Sequence, residues 1–352
     1  MENYLQIRQR LIRKALSMHV LDHLDRFSQF SFFSANLTNF MPWLAPAQHP
    51  VLFQEAFVNQ QLSLLDDRYF TTGIPMPVHG WDSAIAPMLQ DQPGIICTLH
   101  AGSYRILAYL LTVSRMPFAV LMAGKVANEQ GAAFRARYAE WQERNGGALT
   151  LPIIPAEEPR GLWQALRLLR QGYHLLVYLD GFTGLPTDRD KNMQCLPFLG
   201  QHLYVRRGAA WLAQQAHVPL YAINNIRQAD GSLLMMADEP IHHMEVSRHG
   251  GEDLAMSRMF AFFSKQIIQA PAQWENWFFL HFQLDVNRMT RCEPLSILAR
   301  EAEEPNGLPD WKHYGLYRDG KRHYLLEKKG YQSYEMERMY FNRLWRYWKK
   351  QA

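Results

Sequence analysis

The chain has 352 residues, 48% hydrophobic and 20% charged, a balance that excludes disordered and fibrous classes and allows one large domain or two small ones. Its formal charge of +4 is unevenly placed: residues 311–352 hold eleven Lys and Arg against four Asp and Glu, and the remainder is slightly acidic. Three scattered cysteines, Cys97, Cys195 and Cys292, form neither a disulfide framework nor a zinc motif, so a reducing compartment and no metal are expected.

Residues 4–26 read as one basic amphipathic helix. Leu5, Leu11, Ile12, Ala15 and Leu16 fall near one stripe, with Arg8, Arg10, Arg13 and Lys14 mostly elsewhere. Packing on its own domain and lying on a membrane both satisfy that pattern. The stretch Phe27–Gln54 lacks Asp, Glu, Lys and Arg, yet Pro42, Pro46 and Pro50 interrupt it and polar residues run throughout. It reads as a partly buried or interfacial segment and not as a span. No cleavable leader is expected. The expected location is cytoplasmic, with peripheral attachment to the inner face of the membrane allowed.

From residue 94 short apolar runs alternate with helical patterns. Gly94–Thr98, Phe118–Met122, His174–Leu179 and Val218–Ile223 read as strands; Tyr104–Ser114, Glu129–Arg144, Arg160–Gln171, Gly208–His217 and Leu254–Gln269 read as helices. This alternation implies βαβ units and an α/β fold with a central, mostly parallel mixed sheet flanked by helices. Three parts are expected: a helical N-terminal region over 1–75, an α/β domain over 76–300, and a basic tail over 310–352. The Glu/Pro/Gly-rich stretch Glu301–Pro309 serves as the linker to the tail. Within the tail, Asp319-Gly320 signals a type I′ hairpin turn and Tyr334–Lys350 a helix.

Ligands of open α/β sheets gather beyond the carboxyl ends of the strands. Two polar residues stand at such ends, His100 after the first strand and Asp180 after His174–Leu179. His100 also opens a glycine-containing turn, His100-Ala-Gly102-Ser103, before a helix, where backbone N–H groups are placed to meet an oxyanion or phosphate.

From about Val78 to Asp285 the chain resembles the bacterial late lipid A (lauroyl/myristoyl) acyltransferase family, as a divergent soluble member. That family carries a histidine and a carboxylate separated by four residues, H-x4-D/E. Here the block is His100-Ala-Gly102-Ser103-Tyr104-Arg105. Gly80-Trp-Asp-Ser, Leu179-Asp180-Gly181, Pro197-Phe-Leu-Gly200 and Pro271-Ala-Gln-Trp274-Glu-Asn-Trp277 match in order and spacing. The resemblance implies a glycerol-phosphate-acyltransferase-like fold. It also implies transfer of an acyl group (an aminoacyl group not excluded) from a carrier-protein or coenzyme A thioester to a hydroxyl or amine. His100 would be the general base. No cofactor is implied beyond the phosphopantetheine or coenzyme A thioester, which is substrate.

The sequence departs from the family at Arg105, which accepts no hydrogen bond and cannot orient a histidine. Three readings follow. Asp180 takes the orienting role, Arg105 binds a donor phosphate or an acceptor carboxylate, or the ancestral activity is lost and an acyl- or carrier-binding protein remains. Gly102 and Ser103 are assigned to substrate or donor binding, with Ser103 either acylated or capping the following helix. Arg206 and Arg207, at a helix start, are candidate grips for the donor's phosphate. Cys97 reads as core, and Trp274 and Trp277 as walls of the core or of an acyl tunnel. The basic tail suits an acidic carrier domain or an anionic membrane surface, and nucleic acid is not the expected partner.

Overall fold

The structure is a computed structural model and describes residues 3–73, 75–147, 150–181, 193–284 and 308–351. Cys292, the end of the 76–300 segment and most of the 301–309 linker lie outside the described residues. Two compact units divide the chain, and neither is one continuous segment. The first is made of Met1–Leu11, Asn59–Leu196 and Tyr204–Trp274, the second of Ile12–Val58, Pro197–Leu203 and Glu275–Ala352. The three consecutive parts expected from the sequence are thus distributed over two units.

In chain order the strands are β1 (Val78–His79), β2 (Ile95–Thr98), β3 (Phe118–Met122), β4 (Ile153–Pro155), β5 (His174–Tyr178), β6 (Met193–Phe198), β7 (Gln201–Arg206), β8 (Leu220–Arg227), β9 (Leu233–Ala237), β10 (Tyr314–Asp319), β11 (Arg322–Glu327) and β12 (Gln332–Met336). The helices of eight or more residues are α1 (Tyr4–Leu16), α2 (Leu24–Phe40), α3 (His49–Tyr69), α4 (Ile106–Val113), α5 (Gly124–Arg144), α6 (Pro159–Arg170), α7 (Gly208–Ala216), α8 (Gly251–Gln269) and α9 (Arg338–Gln351).

The first unit is α/β. Its seven-stranded sheet has the order β1-β9-β8-β2-β5-β3-β4, and β8–β9 is the antiparallel pair while the other neighbours run parallel. Helices flank it, so its central strands are covered on both faces. That explains why β2 and β8 are buried at every position, and why β2 reads as a continuous apolar run instead of an alternating one. α4 is buried along almost its whole length for the same reason. No helix among the described residues is long and apolar enough to cross a membrane.

The second unit is built around aromatic packing. Phe27, Phe30, Phe33 and Phe40 of α2 are 0–1% exposed, whereas Trp43 and Val51 are 54% and 53% exposed, so the uncharged stretch is partly buried. Phe30 and Phe33 each meet Phe53 edge-on, with centroids 5.6 and 5.3 Å apart, and Phe27 lies 5.5 Å from Trp348 of α9. Such pairs contribute about 0.5–1.5 kcal/mol each beyond area burial. β10, β11 and β12 form an antiparallel meander that packs on α2. Beneath Phe30 lies the buried Lys328, whose Nζ donates to the Trp311 carbonyl at 2.8 Å. Burial pulls this amine down to about 7.

Several expectations are corrected here. The helix read over 4–26 stops at Leu16, and a new one starts at Leu24. Tyr334 belongs to β12, and the last helix starts at Arg338. The strand forms because Tyr334 and Met336 alternate inward, a period-2 signal masked by the four-residue spacing of Met336, Tyr340, Leu344 and Trp348. In the hairpin Asp319 pairs with Arg322, so the turn residues are Gly320 and Lys321. Only Gly320 has positive φ, as in a type II′ turn and not type I′.

His174, at the start of β5, is 2% exposed, and its Nδ1 accepts the Gly94 N–H at 3.3 Å. Burial pushes its pKa down to about 4. An unfolded chain protonates this ring near pH 6.5, so between there and pH 4 unfolding takes up a proton and stability falls as pH falls. The expected loss at about pH 5 is on the order of 2 kcal/mol from this ring alone. His174→Gln should therefore flatten the fall in urea midpoint between about pH 7 and about pH 5. An unchanged slope would show that the ring titrates in the folded protein.

Candidate active site

β2 and β5 pair in parallel from Ile95 with Leu175 to Thr98 with Tyr178. Continuing that register two residues past the strand ends sets His100 opposite Asp180. The contact follows: His100 Nδ1 lies 2.7 Å from Asp180 Oδ1, and the His100 N–H donates to Asp180 Oδ2 at 3.0 Å. The Trp274 indole N–H donates to the same Oδ2 at 2.8 Å. Asp180 has no exposed side-chain surface, whereas 33% of the His100 side chain is exposed. Burial alone would raise the Asp180 carboxyl, but the His100 ring, the indole and the His100 N–H together hold it below the ordinary carboxylate range. An ionised carboxylate at Nδ1 keeps the proton on that nitrogen and places the neutral ring's lone pair on Nε2.

The turn after β2 is held from three sides. Ala101 N–H donates to Leu99 O at 2.9 Å, Gly102 N–H to Gln273 O at 2.9 Å, and Ser103 N–H to Asn225 Oδ1 at 2.8 Å. Gly102 has φ +60°, and a Cβ there would stand 2.5 Å from Asn225 Oδ1 and 2.6 Å from the Asn225 carbonyl oxygen. The glycine is thus required twice, by conformation and by space. The N–H groups expected to receive an oxyanion are committed inside the protein, which corrects that assignment. Ser103 is corrected as well: it is fully buried, its Oγ has no hydrogen-bond partner among the described residues, and Arg105 occupies the N-cap position of α4.

Two tyrosines frame the imidazole. Tyr178 stacks on it at 4.6 Å and Tyr104 meets it edge-on at 4.7 Å. Arg105 also packs on Tyr104, its Cζ 4.3 Å from that ring. Its Nη1 donates to Ser63 Oγ at 3.2 Å and its Nε lies 3.8 Å from Asp67 Oδ2. The guanidinium is therefore directed to the carboxylate of α3. Arg206 ends β7, and Arg207 precedes α7 and lies 3.4 Å from Asp253. Because α7 runs into β8, parallel to β2, its first turn stands at the sheet edge where His100 lies. Cys97 is fully buried, and burial pushes its thiol up.

Sequence reasoning missed the hydrogen bond of Trp274, the cradle made by Asn225 and Gln273, and the ring pair Tyr104–Tyr178. One signal was available: Asn224-Asn225 interrupts the apolar run of β8, and amides in a fully buried strand need partners. Among the described residues no group of three His, Cys, Asp or Glu is placed to hold a metal.

In protein carrying isotope-labelled histidine, nitrogen NMR at neutral pH should show His100 as the Nδ1–H tautomer, and Asp180→Asn should mix the two tautomers. Trp274→Phe should keep the tautomer but cost about 1–3 kcal/mol of stability, because a buried carboxylate oxygen loses a donor. A wild-type ring with its proton on Nε2 would overturn the assignment. Set against models of protein families and against curated proteins, the chain matches none.

Proposed function

We propose that the protein is an acyltransferase that moves an acyl group from a carrier-protein or coenzyme A thioester to a hydroxyl or amine, with His100 as general base. The observation that carries the reading is the 2.7 Å contact of a buried, ionised Asp180 with Nδ1 of a ring one-third exposed. The reaction class draws on the resemblance of the His100, Asp180 and Trp274 blocks to the late lipid A acyltransferases. Asp180 takes the orienting role that the family gives to the carboxylate five positions after its histidine.

In this mechanism His100 Nε2 takes the proton of the acceptor's O–H or N–H as that atom attacks the thioester carbonyl. The tetrahedral intermediate collapses, the C–S bond breaks, and the leaving thiolate takes the proton from Nε2. Asp180 stabilises the imidazolium between the two steps. One observation favours the alternative, a non-catalytic acyl- or carrier-binding protein: the amides of the turn have no capacity left for an oxyanion.

Thioester loss from a panel of acyl carriers separates the two. His100→Ala should lower turnover by about 10²–10⁴-fold, and Asp180→Asn by a comparable factor. Equal turnover by wild type and His100→Ala would remove the base role.

The donor's carrier is proposed to be acidic and to dock on α9. The outer face of this helix exposes Arg338, Arg343, Arg346 and Lys350 beside Tyr340 and Tyr347, while Phe341, Leu344 and Trp348 are buried. Arg343→Glu with Arg346→Glu should lower kcat/KM for a carrier-bound donor several-fold, more at low salt, and leave a pantetheine-bound donor unaffected. Equal effects on both donors would rule out docking there.

A further inference from the structure

Asp180 receives its donors unevenly. Its Oδ1 faces the His100 ring at 2.7 Å, whereas Oδ2 takes both the His100 amide and the Trp274 indole N–H, at 3.0 and 2.8 Å. A buried carboxylate so near an imidazole would by itself favour the imidazolium, and a ring already protonated has no lone pair with which to take a proton. Each donor on Oδ2 draws charge from the oxygen that faces the ring and weakens that pull. The amide belongs to His100 itself, so the indole is the donor brought from a distant part of the chain. Trp274 is 1% exposed.

The residue before Trp274 fixes where the indole stands. α8 ends at Gln269, and Pro271–Gln273 forms one tight turn whose Ala272 carbonyl accepts the Asn59 side-chain amide of α3 at 3.2 Å. Gln273 then meets the end of β8: its Oε1 accepts the Arg227 N–H and its Nε2 donates to the Arg227 carbonyl, both at 2.7 Å. The side-chain amide thus stands in for a paired backbone residue. Its main-chain carbonyl accepts the Gly102 N–H at 2.9 Å, and Trp274 forms a β-bridge with Ala101. One glutamine therefore joins the strand end to the His100 turn and delivers the indole to Asp180. Around the imidazole stand Asp180, Tyr104 and Tyr178, with Arg105 on the Tyr104 ring and Asp67 within ion-pair distance of Arg105. Burial pushes the Tyr178 hydroxyl up, which keeps it neutral near pH 7. Asp180 makes the short contact, so its charge is what the ring feels most.

We propose that Trp274 and Gln273 are positioning residues of the base: Gln273 seats the indole, and the indole N–H tempers Asp180 so that the His100 ring rests neutral. The consequence for turnover rests on the acyl-transfer reading; the state of the ring does not.

Nitrogen NMR titration of the histidine-labelled full chain reads the ring without any thioester. In Trp274→Phe the His100 midpoint should rise by about 0.5–1 pH unit, because Asp180 keeps its charge and loses a donor. A merely structural role gives the opposite sign or nothing: loosening Asp180 from the ring would lower the midpoint, and lost packing elsewhere would leave it. An unchanged or lowered midpoint therefore overturns the role of the indole. Gln273→Met, which keeps the length of the side chain without its amide, should raise the midpoint by a smaller amount. A midpoint like that of wild type in this variant overturns the seating role. If Trp274→Phe fails to fold by circular dichroism, Gln273→Met decides the whole proposal, and no rise overturns it. In the turnover assay the deficit of Trp274→Phe should be largest at low pH and narrow as pH rises, since its base stays protonated to higher pH. A deficit constant with pH overturns the part played in catalysis. Wild-type protein with no turnover on any thioester would sink the acyl-transfer reading and leave the titration of the ring standing.

Discussion

Parallel pairing of β2 with β5 is the constraint on which the candidate site rests. The register fixed by the pairs Ile95–Leu175 through Thr98–Tyr178 leaves His100 and Asp180 as the residues facing each other past the last ladder bond. Once there, a carboxylate with no exposed side-chain surface would be untenable by itself. The ring nitrogen, the His100 amide and the Trp274 indole supply three hydrogen bonds that offset its desolvation. The opposite neighbour, β8, closes the arrangement by presenting Asn225 to the turn. The same edge of one sheet thus supplies the imidazole, its carboxylate partner and their support.

Arg105 is the second constraint. Its guanidinium lies over the Tyr104 ring and within ion-pair distance of Asp67. Burial raises Asp67 even with Arg137 and Arg105 beside it, so the carboxylates of α3 are dearly desolvated counterions. Charge here is organised as a network of arginines, Arg105, Arg137 and Arg227, around Asp66 and Asp67, apart from the Asp180 carboxylate. The two sets do different work: one orients a ring, the other ties α3 to its neighbours.

The α/β class and the buried runs of β2, β3 and β5 were legible because continuous apolar segments of four to six residues have few alternatives once both faces are covered. Asp180 as a partner for His100 was legible only as one option among three. Periodicity shows where strands end but not which strands are neighbours. β1, β4, β6, β7, β9 and β12 went unread, being short or partly exposed, with β12 sharing Met336 with a helical pattern. The committed turn amides could not be read from composition, since their acceptors, Asn225 and Gln273, lie far along the chain.

A pair assembled across neighbouring strands, not within one turn, has an evolutionary and a practical consequence. Two residues on one turn must be inherited as a block, whereas His100 and Asp180 tolerate any change in the intervening chain that preserves the ladder between β2 and β5. Searches keyed to a fixed spacing after the histidine will pass over such chains. A search keyed to an aspartate closing the next parallel strand would find them.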